Sequence, residues 1–138
     1  MKASNLLKAL ARSAESCGDF GALMQSGLKV ELQKDCEPPS GKVGTDTNAK
    51  LTHVETLEGK VLFDAAAPPS AGEDPLLTVA TLDFLAAGGS GYIMLTGVPE
   101  VQDLGIIRET MKDLLASAPA TFSPIMDGRW VARKPPGQ

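Results

Sequence analysis

The strictest alternation of apolar and polar positions lies at 27–33, "GLKVELQ", where Leu28, Val30 and Leu32 face one way and Lys29, Glu31 and Gln33 the other. A period of two is what a strand covered on one face requires, and this segment is predicted to be one. Near the N-terminus the period lengthens to that of a helix. Leu6, Leu7, Leu10, Ala11 and Ala14 recur on one side, with Ser4 as the expected N-cap and Gly18 in the C′ position. A second helical stripe runs through Leu104, Ile107, Met111, Leu114 and Leu115, and Asp103 is its expected cap.

Shorter patterns fill the space between these elements. "FGALMQS" reads as a short strand bent away by Gly27, and "EPPSGKVGTDTNAK" as a solvated loop. "LTHVETLEGKVLF" predicts a hairpin around Glu58 and Gly59, because glycine supplies the positive φ of a tight turn. After a second loop, "LLTVA" is a continuous apolar run, the pattern of a strand buried on both faces. A last strand is expected around Trp130 and Val131. This order predicts an α+β fold: a single domain with a mixed β-sheet, and two long helices and a short helical turn packed on it. It spans 2–134, with 135–138 as a frayed tail.

Composition narrows the function. With 138 residues, 43% of them hydrophobic and 22% charged, the chain is large enough for one core. A net charge of -4 without a Lys/Arg cluster argues against a nucleic acid polymer as partner. No apolar run approaches the roughly 20 residues of a membrane span, and Lys8 and Arg12 interrupt any export signal in the first helix.

Candidate chemistry is sparse. The chain has one histidine and lacks the HExxH, GxSxG and P-loop patterns. His53 sits within a strand pattern and reads as a surface or core-edge residue. Glu73 and Asp74 read as solvated loop acids. Cys17 and Cys36, without a CxxC spacing or a partnering histidine, are either a disulfide or two inert thiols.

The densest local grammar is "LDFLAAGGSGYIML". Asp83 is positioned to cap a turn at 84–87, Gly88 or Gly89 to end it in the left-handed conformation, and Gly91 to turn the chain sharply. Backbone N–H groups of such a turn could hold an anion. The motif lacks a Walker lysine, however, and follows a helical stretch where a phosphate loop would open one. Taken alone, Phe84 and Tyr92 read as core residues.

"VATLDFLAAGGSGYIML" resembles the signature of the 5′-nucleotidase C-terminal domain, a pattern of the type V-A-x-N-x-F-L-A-x-G-G-D-G-Y/F. "KASNLLKALARS", "FGALMQSGLKVEL", "LEGKVLFD", "DLGIIRETMKDLL" and "MDGRW" are similar, in order, to further segments of that family, so the resemblance covers 2–131. It implies the substrate-recognition part of a two-domain phosphoester hydrolase of nucleotide catabolism. In such a protein the N-terminal metallophosphoesterase domain carries two divalent metal ions and the chemistry. This chain would then hold no metal, cofactor or catalytic residue of its own. Its partners would be that domain of the same parent protein and a small-molecule nucleotide, and its location periplasmic or extracellular.

By the same resemblance Phe84 is the base-stacking residue, Gly88, Gly89 and Gly91 shape the pocket, and Ser90 stands where the family has a ribose-binding aspartate. A second stacking aromatic and the phosphate-side arginines of the family would precede Met1, so the chain is expected to begin inside the domain and to offer one wall of the slot. The serine leaves two other readings open: a degenerate binding or structural module, or the equivalent domain of a family cousin acting on cyclic nucleotides, nucleotide sugars or thiosulfate groups.

Overall fold

The structure, a computed structural model, describes residues 1–17, 21–36, 44–46, 48–67, 72–99, 102–118 and 125–136. Its elements run α1 (Ala3–Ala14), β1 (Ser16–Cys17), β2 (Leu28–Gln33), β3 (Gly44–Thr45), β4 (Lys50–Thr56), β5 (Val61–Asp64), α2 (Asp83–Ala86), α3 (Ile107–Ser117) and β6 (Trp130–Arg133). A four-stranded sheet in the order β5-β4-β2-β6 is antiparallel except for the parallel pair β2 and β6, and β1 and β3 form a separate two-stranded ribbon. The α+β class with a mixed sheet is the one the sequence predicts.

The alternation in β2 decides which face of the sheet is covered. Leu28, Val30 and Leu32 are buried and pack with Val54 of β4, Leu62 of β5 and Leu6, Leu10 and Ala14 of α1. Complete burial of aliphatic side chains such as Leu10 and Leu32 contributes roughly 1.5–3 kcal/mol each. The opposite face stays polar. There Lys29 meets Glu55 at 2.9 Å, and His53 lies 3.3 Å from Asp64 and 3.5 Å from Glu55, across three neighbouring strands. Lys29 is the first cause of the lowered Glu55 pKa, ahead of His53, and the Ala66 N–H that of the lowered Asp64 pKa. The β4–β5 hairpin turns at Gly59, whose φ is 84°, as its sequence requires.

α1 is buried on a second side as well. Ala9, set apart from the Leu6/Leu10/Ala14 face, packs with Tyr92 and Leu95. The helix therefore stands between the sheet and the glycine-containing segment, and fixes one relative to the other.

Several local expectations are corrected. Ser4 is not the N-cap of α1: Lys2 is, and it makes no side-chain capping bond. Instead Asp74 accepts the Ser4 N–H and the Ser4 hydroxyl, both at 2.8 Å, and Pro75 O accepts the Ala3 N–H at 2.9 Å. Asp74 is thus no idle loop acid, because it satisfies a helix-end donor that α1 cannot satisfy itself. The run at 76–80 is not a strand buried on both faces. Only Leu76 forms a bridge, with Lys2, and Leu76 is 80% exposed, since no second strand flanks it. Asp103 does not cap α3, which starts at Ile107 behind Ile106; its carboxylate takes the Gly105 N–H at 2.7 Å. Leu104 consequently precedes the helix, and no strand forms at 21–26. Gly18 and residues 37–43 lie outside the described residues, as do 137–138 of the expected tail.

α3 has the expected amphipathic stripe, but Ile107, Met111, Leu114 and Leu115 are all about half exposed or more. Among the described residues, no helix is long and apolar enough to cross a membrane.

Candidate functional site

The segment 82–96 folds as three successive tight pieces. Asp83 is not the N-cap of α2: Leu82 is, and Asp83 is the first helical residue, its Oδ1 accepting the Phe84 N–H at 2.7 Å; the helix closes as Ala87 N–H and Gly88 N–H reach Asp83 O and Leu85 O, both at 2.9 Å. Gly88 takes the left-handed conformation at φ 88°, as its place after the turn predicts. Short 3-10 turns follow at Gly89–Gly91 and Ile93–Leu95. Leu95 and Tyr92 are buried on α1, which seats the whole segment.

Phe84 is not a core residue. It is 59% exposed, and its ring tip lies over Gly89: Cε1 and Cε2 are 2.5 and 2.6 Å from where a Cβ at that glycine would stand. Gly89 has no need of a positive φ. It is glycine at this point because the ring occupies its side-chain space. Such contact holds an aromatic at the surface, which burial alone does not explain.

Ser90 is exposed and has φ 54° and ψ 23°, the only non-glycine positive φ among the described residues. A left-handed residue with a Cβ costs roughly 1–2 kcal/mol, less for Asn or Asp, whose short polar side chains hydrogen-bond locally. The side chain at this position is therefore presented outward by a backbone that favours Gly, Asn or Asp.

Tyr92 is the anchor of the turn. It is 1% exposed, and its hydroxyl donates to Gly21 O, tying the glycine turn to the loop before β2. Burial raises the phenol pKa above its ordinary value, against the smaller opposing influences of the Ser13 hydroxyl and the Arg12 charge. Ser13, fully buried, accepts the Leu23 N–H at 2.8 Å and braces the same loop.

The sequence points to Phe84, Gly88, Gly89, Ser90 and Gly91, and these five residues form one continuous surface feature. It misses Arg12. The Arg12 guanidinium lies against Gly91, with Nε 3.5 Å from the Cβ position of that glycine, and Nη2 lies 3.9 Å from the Cβ position of Gly21. The signal that could have found it is its place three residues after Ala9, on the same side of α1 as the residue that touches Tyr92.

Cys17 and Cys36 form a disulfide with Cα atoms 5.4 Å apart, which joins β1 to the segment just after β2. Of the two readings open from the sequence, the bridge is the one realised. Among the described residues no group of three or more His, Cys, Asp or Glu is arranged to hold a metal. His53 is engaged by the carboxylates of Asp64 and Glu55 on the polar face of the sheet.

No protein-family model, curated protein or solved structure matches the chain.

Proposed function

We propose that this chain is a substrate-recognition domain of the 5′-nucleotidase type, which binds the base of a nucleotide for hydrolysis by a metallophosphoesterase domain elsewhere in the parent protein. The observation that carries the reading is the display of Phe84: a large aromatic, mostly exposed, held on edge by the glycine that its ring overlies. An aromatic face that water can reach is a stacking platform for a base.

On this reading the chain positions and does not catalyse. A single stacking face is worth about 1–3 kcal/mol, against a loss of translational and rotational freedom of roughly 4 kcal/mol or more. Binding to the isolated chain is accordingly weak, and the rest of the parent protein must supply further contacts. The parent protein is a periplasmic or extracellular hydrolase of nucleotide catabolism, and the Cys17–Cys36 bridge suits an oxidising compartment.

The test is a titration of the chain with adenosine 5′-monophosphate followed by NMR. The Phe84 ring and the amides of residues 88–92 are expected to shift, and Phe84→Ala is expected to remove the response. Binding of equal strength by the Phe84→Ala chain would overturn the stacking role. Ser90 supports a second reading, in which the ligand lacks a free ribose diol. Ser90→Asp separates the two: a ribonucleoside domain gains affinity for adenosine from a charge-assisted hydrogen bond, and a domain for a non-ribose ligand does not.

A further inference from the structure

Arg12 comes from α1 and the glycine turn from the far half of the chain, yet the guanidinium reaches the turn one residue beyond Ser90. Gly89 carries the ring of Phe84 and Gly91 faces the Arg12 side chain, with exposed Ser90 between them. One three-residue turn therefore has an aromatic ring against its first residue and a cation against its last.

Among the described residues the charge of Arg12 is neutralised only weakly. Its ion-pair partner among the described residues is Glu15, at 3.9 Å and with both side chains over a third exposed. So long and exposed a contact is worth little, and the guanidinium presents up to five donors in a planar fork. Position 90, next along the chain to the glycine that Arg12 faces, carries a serine and no carboxylate. Serine cannot neutralise the cation, so the place is left open to an oxyanion from outside.

We propose that Arg12, with the Ser90 hydroxyl, forms an oxyanion subsite, so that the ligand of this turn carries a phosphate or carboxylate group at the end facing Ser90 and not a neutral diol. The ring half of the ligand rests on the stacking reading of Phe84; the anion half stands on Arg12 alone. Guanidinium suits the task because its planar fork meets two oxygens at once. Arg12 is then a specificity-determining residue, selecting among base-bearing ligands by charge.

The experiment uses the full chain, with adenosine, adenosine 3′-monophosphate and inorganic phosphate as probes, at low and at high salt. The 3′-monophosphate is expected to bind about two- to fivefold more tightly than adenosine at low salt, the range of a part-exposed ion pair. High salt is expected to shrink that margin. Arg12→Gln should abolish the margin by weakening the 3′-monophosphate more than adenosine, and Arg12→Lys should retain part of it. Inorganic phosphate should shift the Arg12 Nε resonance and the Ser90 amide.

Equal binding of adenosine and its 3′-monophosphate to the unaltered chain, with no response to phosphate, would overturn the subsite and leave the stacking reading intact. Loss of affinity for both nucleosides alike in Arg12→Gln would also overturn it, by reducing Arg12 to a support of the turn. A phosphate response at Arg12 without any nucleoside binding would uphold the subsite and reject the base platform.

Discussion

The ring of Phe84 stands in the space that a side chain at Gly89 would need, its Cε1 and Cε2 within 2.5 and 2.6 Å of the Cβ position. This contact converts a glycine that looks like simple turn chemistry into a seat for an exposed aromatic. Because the colliding atoms are the far end of a side chain, a substitution displaces the ring and leaves the backbone in place.

Gly89→Ala is therefore expected to cost no more than about 1 kcal/mol in stability, while moving Phe84 off its seat. Denaturant unfolding should change little, and the ring resonances of Phe84 should shift clearly. Affinity for adenosine 5′-monophosphate should fall toward that of Phe84→Ala. Unfolding of the domain by this substitution would show that the seat is rigid.

The Cys17–Cys36 bridge closes a loop with a sequence separation of 19. The chain-entropy relation for a loop of that size gives about 3 kcal/mol of stabilisation. Replacing both cysteines by serine, or adding a reductant, is expected to lower the unfolding midpoint accordingly. The polar face around Lys29 and Glu55 should keep its contacts, since the bridge lies at the other end of β2. Calorimetry on the oxidised and doubly substituted chains measures the difference.

Asp74 links stability to acid pH. The Ser4 N–H, then the Ser4 hydroxyl, hold its carboxyl below the ordinary value of 3.8. A folded-state pKa below the unfolded one means that the carboxylate stabilises the fold above about pH 4. That contribution is lost as pH falls through the depressed folded value. Asp74→Asn should then be less stable than the unaltered chain at neutral pH, with the two unfolding curves converging under strongly acid conditions. A constant gap down to the lowest pH would deny the linkage.

Two leucines of equal size should differ sharply. Leu10 is 1% exposed in the core of α1 and the sheet, and Leu114 on α3 is 60% exposed. Leu10→Ala is expected to cost about 2–5 kcal/mol, the range for a cavity left in a packed core. Leu114→Ala should fall within about 0.5 kcal/mol, as surface substitutions do. Urea midpoints of the two variants compare them directly.

Much of the fold was legible along the chain. The alternation of Leu28, Val30 and Leu32, the leucine spacing of α1, the Gly59 hairpin and the strand at Trp130 all report short-range requirements. Ser4, Asp103 and the run at 76–80 misled for one reason: each pattern fits more than one partner. Ser4 meets Asp74 from a distant loop, Asp103 turns to Gly105, and the apolar run pairs with Met1 and Lys2 at the start of the chain and with no second strand. The proposed site was legible at Phe84 and its glycines, where turn chemistry is local, and illegible at Arg12, which belongs to another element.

The periods, the turns and the α+β order follow from neighbouring residues alone, because φ preference and side-chain alternation act within a few positions. Tertiary structure decided the rest: that Cys17 meets Cys36, that Asp74 holds the start of α1, that Phe84 faces water and that Arg12 reaches Gly91. Those outcomes depend on how α1 packs at once on the sheet and on Tyr92. Contacts of that kind span tens of residues, and burial of the shared core, not local propensity, brings them together.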